Sequence, residues 1–154
     1  MSNPCQTDGS SPHGDYEAFI SNMKLIDIFV FHSECTRACA ISDARAIKEF
    51  NLNISRASHD PAYSLEGSSL AIPLSFRIEI LSSEKEIASL EYHFEALFSV
   101  SDLKAFHRSM KDDEVSRFFL GPQMDKFVWS YLRCLISSTC SNMGIARVVL
   151  PMMM

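Results

Sequence analysis

Residues 90–100 alternate along the chain. Leu90, Tyr92, Phe94, Ala96, Phe98 and Val100 are apolar, and Glu91, His93, Glu95 and Ser99 stand between them, with Leu97 as the one apolar residue out of phase. A period of two sends successive side chains to opposite faces, so this stretch predicts a strand with one face in a core. Counted from residue 87 to 100 it spans roughly 46 Å, long for a strand in a chain of 154 residues. A strand of that length needs long partners. Just upstream, Leu74, Phe76, Ile78 and Ile80 alternate with Ser75, Arg77 and Glu79, and Ser82-Ser83-Glu84-Lys85-Glu86 reads as the polar turn between the two. A turn centred on Glu84 sets Arg77 opposite Glu91 on the polar face and Phe76 opposite Tyr92 on the apolar face.

Two more strands are legible. Phe50, Leu52 and Ile54 alternate with Asn51, Asn53 and Ser55. Leu25, Ile26, Ile28, Phe29, Val30 and Phe31 put apolar groups on both faces, which predicts a strand covered on both sides that runs on through His32 and Cys35 towards Arg37. His59-Asp60-Pro61 and Glu66-Gly67-Ser68 punctuate a loop. Short helical pieces are expected at 17–23 and 41–48, at 103–109 behind an Asp102 cap, and at 112–120. Gly121-Pro122 then breaks the chain, and Pro122 opens a helix that runs to Asn142 or Met143, with Gly144 as its stop. Lys126, Ser130, Arg133, Ser137 and Ser141 form one narrow polar stripe on it. The rest of its circumference is apolar or small, so the helix needs two covers: the sheet, and a second subunit. Residues 145–150 return to an extended apolar segment. The expected class is α+β, a long four-stranded antiparallel sheet packed against a long C-terminal helix. Residues 1–16, rich in Ser, Pro and Gly, read as a disordered tail ahead of a single domain at 17–154.

Composition removes several function classes. The net charge of −5 argues against nucleic-acid binding, which needs a basic surface. No apolar run is long enough to span a membrane, and the first residues lack the pattern of a secretory signal, so a soluble cytoplasmic protein is expected. The five cysteines show no CxxC spacing, and the five histidines show no HxxxH, so neither a metal nor a cofactor is expected. With five glycines in the chain, no phosphate-binding loop is present. The cysteines read as small hydrophobes in a reducing compartment.

The end of the chain carries a resemblance. Val128-Trp129-Ser130-Tyr131-Leu132-Arg133-Cys134-Leu135-Ile136-Ser137-Ser138, then Met143-Gly144 and Val149-Leu150-Pro151, together with Glu95-Ala96-Leu97-Phe98-Ser99-Val100, resemble the SecB family of export chaperones over residues 22–151. The resemblance implies a homotetramer that holds unfolded precursors in apolar grooves without nucleotide and passes them to the SecA motor. SecB-like members also chaperone antitoxins. Two acidic positions that face SecA in the family fall on Asp27 and Glu91, whereas a further one falls on Phe31. Ser130 stands where the family often has proline, and the sequence ends near Pro151, where standard members add a second helix and an acidic tail. These departures suit a SecB-like chaperone with its own clients better than the housekeeping protein.

Phe29, Phe31, Trp129, Tyr131, Leu132, Leu135 and Ile136 are the candidate lining of a client groove, with core and interface packing as the alternative for each. Glu91, His93 and Glu95 share a sheet face and read as a solvated surface, a docking patch or an acid–base site. Neighbours two apart on one strand are about 7 Å apart, too far for direct hydrogen bonding, and no nucleophile is recognisable beside them. The chain is therefore expected to be no enzyme but an ATP-independent holdase, with unfolded polypeptides, SecA or an antitoxin as partners. The rival reading is a hot-dog-type acyl-thioester enzyme, a fold that buries its helix early in the chain rather than last.

Overall fold

The computed structural model describes residues 15–57, 63–145 and 150. In chain order these form α1 (Asp15–Ser21), β1 (Met23–Arg37), α2 (Ile41–Ala46), β2 (Asn51–Ala57), β3 (Ser64–Glu66), β4 (Ser69–Ser82), β5 (Lys85–Val100), α3 (Leu103–Met110), α4 (Asp113–Phe118), a π-helical turn (Phe119–Gln123) and α5 (Met124–Asn142). One antiparallel sheet runs in the order β1-β5-β4-β2, with β3 also paired to β4. The class is α+β with the four expected strands and the long C-terminal helix. The fifth strand, β3, lies in a stretch read from the sequence as loop. Gly67 explains it: with φ +59 it is the first central residue of a two-residue turn that joins Glu66 to its partner Ser69. Of the expected tail at 1–16, residues 1–14 lie outside the described residues, as do the loop residues 59–61, the extended stretch 146–149 and residues 151–154, whereas Asp15 and Tyr16 open α1 and Tyr16 is buried because its ring packs on Phe19 and Phe118.

The β4–β5 register agrees with the sequence reading: Arg77 pairs with Glu91 and Phe76 with Tyr92. The turn reaches it by another route. Ser83 and Glu84 take φ 49 and 64, a two-residue turn between Ser82 and Lys85. A register shift between Ile80 and Leu81 then adds one residue on β5. Such turns favour Asn-Gly because both central residues need positive φ, which costs a side chain about 1 kcal/mol or more. Glu84→Gly is therefore expected to stabilise the fold by about 1 kcal/mol, read as a higher urea midpoint at unchanged slope. Pro73 sits inside β4 without penalty, because β3 pairs with residues 69–71 and β2 with 75–81, leaving its missing N–H in the gap.

The even-numbered residues of β4 and β5 build the core. Leu70, Leu74, Ile78, Leu90, Phe94 and Ala96 are fully buried on one face. Across them lies α5, whose Met124, Val128, Leu132, Ile136 and Cys140 repeat at four-residue steps. Tyr92 reaches up from this face, donating its hydroxyl to Leu135 O at 3.3 Å and meeting Thr139 Oγ1 at 2.7 Å. Burial pushes that phenol up to about 12. At one end of the sheet the rings of Phe106, Phe19, Phe119 and Phe98 pack in sequence. Asp102 caps α3 by accepting from Ala105 N at 3.0 Å, as its position predicts.

Two expectations are overturned. Gly121-Pro122 does not break the chain: α4, the π turn and α5 run on continuously from Asp113 to Asn142. A proline inside an α-helix loses a hydrogen bond and clashes with the preceding turn. The wider π turn absorbs Pro122, and the Met124 N–H reaches back to Phe119 O. Arg56 of β2 meets the exposed carbonyls, donating to Gly121 O at 3.2 Å and to Leu120 O, and it pairs with Asp125 Oδ1 at 2.8 Å. Burial raises the Asp125 carboxyl more than Arg56 lowers it.

Arg56→Met keeps the stem and removes these donors. It is expected to cost about 2 kcal/mol near neutral pH. Without its guanidinium partner the Asp125 carboxyl rises further, so the unpaired carboxylate is the costly form. The deficit should shrink as pH falls and Asp125 protonates, which denaturant titrations of both proteins across the carboxylate range would measure.

The second correction concerns β1. It is not covered on both sides. It is an edge strand, and of its residues Ile28 alone is buried.

Candidate functional site

Residues directly paired in an antiparallel ladder share a face. On the face away from α5, β5 presents Glu91, His93, Glu95, Leu97 and Ser99, and β4 presents Ser75, Arg77 and Glu79. From β1 come Lys24, Asp27, Phe29, His32 and Glu34. Two register shifts in β1, between Leu25 and Asp27 and between Val30 and His32, leave Ile26 and Phe31 as extra residues. Asp27 steadies the first by accepting the Ile28 N–H at 2.8 Å. Phe31 is turned towards β5, with its ring 5.9 Å from that of His93. Ile26 is 57% exposed, Phe29 44% and Phe31 62%. The β1 edge thus carries large apolar side chains in water, beside carboxylates on a face where Lys24 and Arg77 are the cations of these strands.

The seven groove candidates do not come together. Phe29 and Phe31 lie on the outer face, whereas Trp129, Tyr131, Leu132, Leu135 and Ile136 belong to α5 on the other side of the sheet. Leu132 and Ile136 are 0% exposed and are core residues, because α5 turns that stripe down onto β4 and β5. Trp129 and Leu135 are half-buried against the same core, and Tyr131 is 45% exposed. Cys134 is also exposed, so α5 keeps a second, partly apolar face towards solvent. Asp27 and Glu91 do share the outer face. They are six residues apart in the β5 frame, roughly 20 Å.

The expectation that neighbours on β5 are too far apart for hydrogen bonding is also overturned. His93 Nε2 lies 2.8 Å from Glu91 Oε1, and His93 Nδ1 lies 2.9 Å from Ser75 Oγ. The backbone spacing is about 7 Å, but a glutamate and a histidine leaning towards each other span it. A carboxylate can only accept, so a neutral His93 donates from Nε2 to Glu91 and accepts the Ser75 hydroxyl at Nδ1. Serine, histidine and glutamate thus stand in line as they do in hydrolases. The surroundings differ. Ser75 is 5% exposed in a strand with ladders on both sides, pairing with His93 and with Ala57. Ladder N–H groups are spent in the sheet and cannot stabilise an oxyanion. The line therefore reads as a polar brace across three residues.

Among the described residues no group of three His, Cys, Asp or Glu side chains is arranged to hold a metal ion, and no helix is long and apolar enough to cross a membrane. Four of the cysteines are free. Cys140 is buried, which pushes its thiol up to about 11, and Cys35 on β1 is raised in the same way. Such thiols are poor nucleophiles.

No family model matches the sequence, and no curated protein matches it. Among solved structures, the chain is similar to the SecB-like chaperone of Mycobacterium tuberculosis in complex with a ChAD peptide from an antitoxin, at 12% identity and a TM-score of 0.68, covering 92% of this chain and 98% of that one. A protein of unknown function from Streptococcus agalactiae aligns at 10% identity with a TM-score of 0.41 over 84% of this chain and 96% of its own. At 12% identity the first likeness speaks for architecture alone: the chain has the SecB-like fold.

Proposed function

We propose that the protein is an ATP-independent holdase that binds non-native polypeptide segments, in the manner of an antitoxin chaperone. The observation that carries the reading is the exposed apolar row on β1, Ile26, Phe29 and Phe31, along the unpaired edge of the sheet. Solvent-exposed apolar surface of this extent, rimmed by charge, is what a binding site needs and what a core does not. Burial of client apolar surface supplies about 25 cal/mol per Å² before ordering costs, so nucleotide is not required. The carboxylates beside it favour clients with basic segments and speed their encounter. The SecB-like fold, seen in a chaperone solved with an antitoxin peptide, supports the same reading.

The thioester-enzyme reading is not favoured. The long helix comes last, and the Ser75–His93–Glu91 line has no oxyanion donors. SecA docking at Asp27 and Glu91 remains the second reading for the outer face, supported by their shared side of the sheet.

The outward side of α5, with Tyr131 and Cys134, is the proposed contact with further copies in a homotetramer formed in the cytoplasm. Light scattering on the eluting protein measures this, and a monodisperse monomer at micromolar concentration refutes it. For the chaperone reading, purified protein is added without ATP to a denatured, aggregation-prone client as it is diluted. Suppression of turbidity near stoichiometric ratio supports a holdase. Failure with several clients and with basic antitoxin-like peptides rejects it.

A further inference from the structure

On the outer face, like meets like across the β1–β5 ladder: His32 pairs with His93, and Glu34 with Glu91. Directly opposed like charges weaken a sheet, so such a square is informative about what it meets. The two imidazole rings touch edge to face with centroids 5.1 Å apart, and Phe31, next to His32 on β1, also closes on His93. Glu91 and Glu95 face His93 along β5, Ser75 and Arg77 come from β4, and Glu34 stands beside His32 on β1. Arg77 is itself 3.6 Å from Glu79. From β2 the same face receives Asn53, Ser55 and Ala57, which carry no charge. The described helices pack through the opposite face. The square therefore lies open at the middle of the acidic strip, between Asp27 at one end and Glu79 at the other.

Imidazole is the side chain whose charge ordinarily changes between about pH 5 and pH 8. Protonation of both rings puts two cations at the centre of a surface whose complementarity to a basic segment rests on its carboxylates. It also changes the brace. An imidazolium donates from both nitrogens, so Ser75 Oγ must turn from donor to acceptor, and Glu91 is drawn into an ion pair with His93. A client cation then competes with His93 for that carboxylate.

We propose that His32 and His93 make docking on the outer face proton-sensitive: with both imidazoles neutral the face holds an extended basic segment, and with both protonated it releases it. This rests on the docking reading above. A cation about 7 Å from a client cation, at an effective dielectric between protein and water, weakens binding several-fold, so the pair together should cost at least about tenfold.

The experiment uses the full chain and a fluorescent peptide of alternating arginine and leucine, with a glutamate–leucine peptide as control, in polarisation titrations at about pH 7.5 and about pH 5.5 and one ionic strength. The arginine peptide is expected to bind at least about tenfold more weakly at the lower pH. In His32→Gln/His93→Gln most of that loss should vanish, because glutamine can still donate to Glu91 and accept from Ser75 but carries no charge. The exposed single change His32→Gln, which leaves the brace intact, should remove part of it and guards against a folding defect in the double variant. Equal binding by the wild-type protein at both pH values overturns the gate and leaves the docking reading standing. The same pH loss in the double variant overturns it too, assigning the effect to carboxylates. No binding of the arginine peptide at either pH overturns the docking reading and the gate with it.

Discussion

Replacing Phe29 and Phe31 together by serine is expected to weaken client binding by between about tenfold and a hundredfold while leaving the fold intact. Phe31 is 62% exposed and Phe29 44% in the single chain, and neither belongs to the core, so their removal takes little from it. Exposed substitutions of this kind usually change stability by less than about 0.5 kcal/mol. A client that covers both rings would gain roughly 0.7–1.4 kcal/mol from each, because each is already part-buried, and each 1.4 kcal/mol is a factor of ten in affinity. Polarisation with an unfolded client gives the affinity, and thermal unfolding gives the stability. A variant that unfolds early would place these rings in a structural interface instead. A variant that binds as well as the parent would move the client site elsewhere, with the α5 side bearing Tyr131 next in line.

The second large effect is of the opposite kind. Leu132→Ala should destabilise the protein by about 2–5 kcal/mol, because it opens a cavity between α5 and the sheet. For a chain of this size that lowers the melting temperature by roughly 5–15 °C. Leu132 has no exposed surface, so client affinity measured well below the transition should stay unchanged. Loss of affinity with the melting temperature held would contradict its core placement. Set beside the Phe29/Phe31 pair, this variant separates residues that hold α5 down from residues that touch a partner. The sequence alone does not separate them, since all of these positions are simply large and apolar.

The legible part of the fold was its periodicity. Alternation in β4 and β5 predicted both strands, their shared apolar face and the pairing of Arg77 with Glu91. That register also carries Ser75 opposite His93, so one link of the brace was implicit in the sequence. The other link is not legible there, because a backbone spacing of about 7 Å does not fix the distance between side-chain tips. β3 is not legible because three residues give no period to read, and Gly67 marks a loop as readily as a hairpin. Pro122 reads as a helix start because proline is usual at the first turn of a helix. The guanidinium that lets the helix run through it comes from Arg56, sixty-five residues earlier than Gly121.

The sequence by itself determined what each segment becomes, because strand and helix follow from local alternation and four-residue repeats that any short window displays. It also determined that β1 and α5 hold more apolar surface than one cover can use. Only the tertiary structure decided where that surplus faces. β1 became the uncovered edge, α5 turned Leu132 and Ile136 inward, and the sheet parted Phe29 and Phe31 from the helix candidates. Facing is set by which strands pair and which side the helix crosses, and those are long-range choices that no local pattern encodes.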